Sequence, residues 1–565
     1  MRSGCFAAAR TPPPARKNSS AGWYTRLVKT PRLAVALALV TFACASLGCA
    51  SLPPPTAGGE AAGPADTRDI AGRLLHATRQ PTPTGASRAE TLRPSRRVAV
   101  DAVDSAGTVL ASAVTDDDGL FALRVTGADV ALRVRAYIAA DGFDLAVTRD
   151  PFGHQPHELV VPLPERSSDA AGPEAVEIRI GDETELAGAL HLLDTVLRGA
   201  RAVHAWTGEH VPPFYAYWGR GVTTEWSYYR AERVAGSGRY SVELLGGEPG
   251  RQSTTDTDEH DEAIILHEFG HFVMDVMTTD SSHGGTHPGG VLIDPGLAWE
   301  EGRASWFACA VLGNPIYVDT IGIEPQGSLR VAVDLETQSA EGPRGMGSEA
   351  GVEEILWDLS DGGPSDAAFA LPDTDNDGIT LGPAAVFAAM RTLAQQPGAF
   401  PDITTFLRHL VRTGTANGLG IKHLLLTGGH PEAMLPLDDV PLWPLDIALG
   451  STVGGKIDSI SDPAPSGGPP RPGNGRDAVQ AYRVHVPTAM WLTVRLRVFG
   501  SGGQSDRTDV DLELRDLRSE PLGASRSETP NEQIVTHVQP GWYIVYVRDG
   551  GSPNTASYEL SVSGR

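Results

Sequence analysis

The sequence predicts a multidomain chain: a β-sandwich, then an α+β domain, then a C-terminal β-sandwich. Three observations predict this. The chain has 565 residues, too many for one ordinary domain. Its 64 glycines and 43 prolines, near a fifth of the total, favour turns, β modules and linkers over a helical array. The apolar period also changes from two to a helical spacing and back to two, each change falling near a Pro/Gly/Ser-rich stretch.

Composition narrows the function. Hydrophobic residues at 41% and charged residues at 21% are ordinary for globular modules and exclude wholesale disorder. With 46 basic against 70 acidic residues the net charge is −24, so the body has no electrostatic reason to seek nucleic acid or anionic lipid. Of four cysteines, Cys5, Cys44 and Cys49 lie at the N-terminus, which leaves Cys309 alone in the body. One thiol makes neither an internal disulfide framework nor a Cys-based zinc site.

Residues 1–49 read as an export signal. Arg26, Lys29 and Arg32 precede the apolar run 33–47, a basic region followed by a hydrophobic one. The run ends in Ser46-Leu47-Gly48-Cys49, which resembles a bacterial lipobox. That resemblance implies an exported bacterial protein, tethered by lipid at Cys49 in the outer membrane or periplasm, or else extracellular. The alternatives are ordinary signal cleavage after Ala45 or Ala50, and an uncleaved anchor. Membrane contact is expected only through this N-terminal anchor. Residues 50–66, rich in Pro, Ala and Gly, read as a flexible tether.

From residue 67 the pattern alternates: Val98, Val100 and Ala102, then Phe121, Leu123 and Val125, then Leu132, Val134 and Ala136. Thr115-Asp116-Asp117-Asp118-Gly119 sits between the first two runs. This pattern over 67–165 resembles the carboxypeptidase regulatory-like domain, a small β-sandwich. The three aspartates read as a solvated hairpin turn in preference to a calcium site. Residues 166–175 read as a second linker. Beyond them Leu186, Leu190, Leu193, Val196, Leu197 and Val203 fall at helical spacing. A short strand at 240–245 and helices near 261–277, 297–312, 351–359, 383–393 and 403–412 complete an α+β domain over 170–447. A third linker over 455–475 includes the Pro/Gly-rich 463–475. The alternation then returns through Leu492, Val494, Leu496 and Val498, and Val510, Leu512 and Leu514. Asp477-Ala478, Asp509-Val510-Asp511-Leu512 and Pro540-Gly541-Trp542-Tyr543 give 476–565 a resemblance to the bacterial pre-peptidase C-terminal domain, which implies a β-sandwich accompanying a secreted peptidase.

The chemistry centres on His267-Glu268-Phe269-Gly270-His271. Residues four apart share a helix face, so the two imidazoles can aim at one point, as a tetrahedral Zn²⁺ requires, with Glu268 beside it as general base. A chain of this composition contains such a pattern by chance only roughly 0.03 times. Downstream, Trp299-Glu300-Glu301-Gly302-Arg303-Ala304-Ser305 resembles the second zinc helix of gluzincin metallopeptidases. Aligned on Glu-Gly-x-Ala, the resemblance implies Glu301 as the third ligand, with Glu300 its rival. The tryptophan stands two residues before Glu301, where the family pattern has three.

The intervening insert carries His283 and His287. Either one is a candidate third ligand in a metzincin-like arrangement, but the position that pattern requires is Met277. A loop at the cleft mouth, with one His donating to the oxyanion, and a plain surface loop are the competing readings. Tyr228 and Tyr229 are further oxyanion candidates. The acidic run 256–262 reads as helix caps, with partners of the zinc histidines as the alternative. Glu353, Glu354, Trp357 and Asp358 line the cleft or serve structure. Asp373, Asp375, Asp377 and Gly378 are spaced like a calcium loop, but position 12 is Ala384 rather than Glu, so Ca²⁺ competes there with a capped loop.

The expectation is therefore an exported zinc metallopeptidase, with His267, His271 and Glu301 on the metal, Glu268 as base and a protein or peptide substrate. Two alternatives remain: a cell-surface binding or scaffold lipoprotein with a structural or degenerate zinc site, and a zinc hydrolase of non-peptide amides or esters.

Overall fold

The computed structural model describes residues 67–565 apart from 128, 164–173, 225, 231–239, 283, 285–286, 288–289, 337–343, 363–378, 432–433, 436–442, 459–478, 501–508, 528, 530 and 551–554. The export signal, the tether, His283, the 373–378 loop and the 463–475 linker lie outside the described residues, as does most of the 166–175 linker. Among the described residues the protein is multidomain and mostly β, with seven α-helices. One hydrophobic core runs from Ile70 to Met434 and a second from Ile447 to Val562.

Strand Thr67–Thr78 is the hub of the N-terminal region. It pairs antiparallel with Thr91–Pro94 and Leu120–Thr126, and parallel with Glu174–Ile180. A second sheet is ordered Glu158–Pro162, Ala131–Arg135, Ala99–Val103, Val109–Val114. The alternation is literal in Leu120–Thr126, whose odd-numbered Phe121, Leu123 and Val125 are buried while the even-numbered residues face solvent. Asp116 shapes the turn before it, its Oδ1 accepting from Asp118 N at 3.0 Å and Leu120 N at 2.8 Å. Gly119 completes the turn at φ 77°, where a Cβ would stand 2.4 Å from Leu74 O. Asp117 pairs with Arg201 at 2.7 Å. These engagements fit the turn reading.

The structure departs from a separation at 166–175. Strands Tyr137–Ala140 and Phe143–Thr148 join a third sheet with Phe214–Tyr217, Tyr240–Glu243 and Tyr228–Arg230. Two of its pairings are parallel, Phe143–Thr148 with Phe214–Tyr217 and the latter with Tyr240–Glu243. Residues 174 and 175, read as linker, begin the strand that pairs with the hub. Helix α1 (Glu185–Thr207) supplies the crossover that parallel strands require. Periodicity shows that strands exist; it does not show which distant strand each one meets.

Six further helices follow: α2 (Glu262–Met277), α3 (Pro295–Leu312), α4 (Glu349–Asp358), α5 (Pro383–Ala394), α6 (Ile403–Thr413) and α7 (Gly418–Thr427). Asp294 caps α3, accepting from Leu297 N at 3.0 Å, with Pro295 next in line. Helix α7 and the hairpin Ile316–Ile321/Ser328–Asp334 have no counterpart in the sequence reading. The acidic run before α2 does not cap it. Asp261 stands at the N-cap but accepts from Thr320 N at 3.1 Å and Thr320 Oγ1 at 3.0 Å instead. Glu262 pairs with Arg93 at 2.5 Å.

The C-terminal sandwich begins earlier than residue 476. Leu445–Asp446 pairs with Val479–Val486, and Thr452–Asp458 pairs along its length with Thr555–Gly564, so 455–458, read as linker, belong to a strand. Its glycines at 454 and 455 hide it from a propensity reading. A small cluster of Phe400, Val479, Ala481, Ile544 and Tyr546 joins this sandwich to the helical region. No helix among the described residues is long and apolar enough to cross a membrane.

Candidate metal centre

Helices α2 and α3 cross closely because α2 carries Gly270 at the contact, where a Cβ would stand 3.3 Å from Ala304 Cα. This brings one face of α2, with His267 and His271, against Glu301 on α3. The His267 and His271 Nε2 atoms are 3.1 Å apart, and Glu301 Oε2 is 3.3 Å from the first and 3.2 Å from the second. A tetrahedral zinc with bonds of about 2.0–2.1 Å needs ligand atoms about 3.3 Å apart. Two imidazole nitrogens and one carboxylate oxygen at these separations are a donor set that fits zinc and leaves a position for water or substrate.

Glu300 faces elsewhere. Its Oε1 accepts from Ser281 N at 2.9 Å and Ser281 Oγ at 3.1 Å, and its Oε2 accepts from Arg303 Nε at 2.8 Å. Gly302 beside Glu301 sets a second close approach. A Cβ there would stand 2.7 Å from Val352 Cβ, so this glycine brings α4 against α3.

The approach of α4 matters because its first residue, Glu349, holds the insert. His287 Nδ1 lies 3.1 Å from Glu349 Oε2, and His287 Nε2 lies 3.4 Å from Glu301 Oε2. Of the four oxyanion candidates, His287 is the one brought to the centre. Tyr228 donates to Glu243 at 2.8 Å and Tyr229 to Asp275 at 2.6 Å, and His283 is outside the described residues. On α4, Glu354 pairs with Arg344, and Trp357 Nε1 donates to Glu336 at 2.5 Å, so both have structural partners.

The metal-free electrostatics are those of a buried ion cluster. Burial would raise the Glu301 carboxyl, but His287 and His271 outweigh it and hold Glu301 well below the usual range. Burial opposes charging His271 and His287, yet Glu301 lifts them to about 9 and about 10. Burial also raises Glu268, opposed by His267 and His271. A divalent cation held by His267, His271 and Glu301 would take the place of the proton on His271.

Three neighbours have no role in the sequence reading. Ser305 Oγ lies 3.1 Å from His267 Nδ1, the nitrogen facing away from Glu301. Its signal was available: Ser305 is one helical turn past Glu301. Tyr317, edge-on to the His267 ring at 5.9 Å, and Glu349 come from distant elements and carry no local signal. Ser305→Ala should weaken zinc binding by about 10–100-fold, the usual loss when a ligand's outer partner is removed. Competition with a zinc-indicating dye measures it, and unchanged affinity would show that Ser305 does not orient His267.

No protein-family model matches the chain, and no curated protein matches it. Among solved structures, 21% of the chain is weakly similar to 91% of the pre-peptidase C-terminal domain of a collagenase from Bacillus anthracis, at 17% identity and a TM-score of 0.16. The same share is similar to 95% of PliG, a periplasmic inhibitor of g-type lysozyme from Aeromonas hydrophila, at 12% identity and a TM-score of 0.13.

Proposed function

We propose that this chain is an exported zinc metallopeptidase of gluzincin type. In this reading a zincin-like catalytic region is flanked by a carboxypeptidase regulatory-like sandwich and a pre-peptidase C-terminal sandwich. The observation that carries the proposal is the triangle of His267, His271 and Glu301 with Glu268 next to it on α2. A purely structural zinc site needs no carboxylate in that place.

When bound, zinc supplies Lewis acidity, polarising the scissile carbonyl and bringing the pKa of water toward about 7. The chain's own groups do the rest. Glu268, with its carboxyl raised by burial, accepts the proton of the attacking water and passes it to the leaving amine. His287, backed by Glu349, donates its Nε2–H toward the carbonyl oxygen as charge builds there. Ser305 would keep the His267 ring turned so that Nε2 points toward Glu301 and His271, the residues that would hold the metal with it. Lipidation at Cys49 would keep this activity at the cell envelope.

The test is metal content together with hydrolysis of a peptide library by the chain from residue 50 onward, with and without chelator. One equivalent of zinc and chelator-sensitive cleavage of peptide bonds is the expected result. Zinc without peptide cleavage would favour the scaffold reading or a non-peptide amide or ester, and no zinc would overturn the site.

A further inference from the structure

Away from the histidines, three aspartates meet. Asp256 and Asp258 lie on the segment leading into α2, and Asp319 lies on strand Ile316–Ile321, far along the chain. One carboxylate oxygen from each falls within 4.8 Å of the other two. Asp258 is 2% exposed and Asp319 is 7% exposed.

Asp319 is the informative member. Its Oδ1 is buried and has no hydrogen-bond partner among the described residues, although the side chain points at two other carboxylates. Its Oδ2 meets Arg330 Nε at 3.5 Å, beyond hydrogen-bond length. Asp256 repeats the pattern: Oδ2 accepts from Arg330 Nη1, while Oδ1 is buried and unpartnered. Asp258 accepts from Ser227 Oγ and, at 3.3 Å, from Leu245 N.

We propose that Asp256, Asp258 and Asp319 form a second cation site, separate from the zinc centre, that binds calcium. Charge selects a divalent ion. Three carboxylates against the one guanidinium of Arg330 leave an excess of two negative charges in a buried place, where unpaired charge is expensive. A divalent cation cancels that excess. Donor chemistry selects a hard ion, since all three ligands are carboxylate oxygens. Rigidity of geometry favours calcium: its flexible oxygen shell accepts carboxylates arriving from separate elements, whereas magnesium demands a near-ideal octahedron and keeps most of its waters. Burial, the largest influence on each of the three carboxyls, raises them all, Asp319 to about 7, as expected of a site built around a missing positive charge. Arg330 stays with the site, stacked on Trp226 at 4.5 Å.

The ion would tie the 256–261 segment to the Ile316–Ile321 hairpin, next to the Asp261–Thr320 contact at the start of α2. It would thereby brace the helix that carries His267 and His271.

The experiment uses the whole mature chain with zinc saturating throughout, so that loss at the histidine centre cannot imitate the effect. Terbium is the probe, because Trp226 beside Arg330 can sensitise its emission. Calcium should displace the terbium signal and raise the unfolding midpoint by several degrees. Asp319→Asn should abolish both responses. In calcium-free buffer the same variant should unfold at or above the wild-type temperature, because an uncompensated buried charge has gone. Asp256→Asn should behave likewise and serves if the first variant fails to fold. The proposal is overturned if Asp319→Asn lowers the calcium-free midpoint, which would make Asp319 a structural partner of Arg330. It is also overturned if the calcium response survives Asp319→Asn and Asp256→Asn but is lost in Asp375→Asn, which would move calcium to the 373–378 loop.

Discussion

Glu268→Gln should bind zinc as the parent chain does and lose about two orders of magnitude or more in kcat. The side chain keeps its shape and stays outside the ligand triangle, so His267, His271 and Glu301 keep their mutual distances of 3.1 to 3.3 Å. What disappears is the proton acceptor, and a positioned general base is worth roughly 10²–10⁴ in rate. Stability should not fall with activity. Glu268 is 8% exposed and burial pushes its carboxyl upward, so the fold gains little from this charge and an amide is at least as welcome. Zinc stoichiometry, the unfolding midpoint and kcat on one cleaved peptide decide the matter together. Wild-type-like turnover would move the base to another group, and loss of zinc would make Glu268 a ligand.

The parts of the fold that were legible are those encoded locally. Leu186 to Val203 recur at helical spacing, and α1 spans Glu185–Thr207. Phe121, Leu123 and Val125 alternate, and Leu120–Thr126 is a strand. His267 and His271 were readable because four residues on a helix is a statement about direction as well as distance. Illegible features were of two kinds. Long-range pairing left no local mark: nothing in residues 143–148 names 214–217 as a partner, so one core was read as two. Locally misleading composition hid the rest. Residues 455–458 read as linker, although pairing with Thr555–Gly564 makes them part of the strand Thr452–Asp458. The carboxylates before α2 read as caps because helix N-termini favour negative charge. Three of them have partners across the fold instead: Thr320 for Asp261, Ser227 for Asp258 and Arg330 for Asp256.

The adjacent glutamates on α3 carry the sharpest contrast. Glu301→Gln should fold and fail to hold zinc, with a loss of affinity larger than the roughly 10–100-fold expected for an outer partner. Glu300→Gln should hold zinc and lose stability. The asymmetry follows from where consecutive side chains point. Glu301 faces His267, His271 and His287 within 3.4 Å. Glu300 faces Arg303, which is 1% exposed, and Ser281, beyond the end of α2. Arg303 also donates to Thr278 Oγ1 at 2.9 Å and Thr279 O at 3.0 Å, so the pair fastens the turn after α2 to α3. Removing one partner of a buried ion pair strands the other, at a cost of about 3–5 kcal/mol. Glutamine can still accept from Ser281, so the loss should fall at the low end of that range, and Glu300→Ala should lie above it. Paired measurements of zinc stoichiometry and unfolding midpoint separate the two roles. Were Glu300→Gln to lose the metal and Glu301→Gln to lose only stability, the ligand assignment would be reversed. A chain in which both variants lost both would have its metal and its helix packing inseparably coupled through α3.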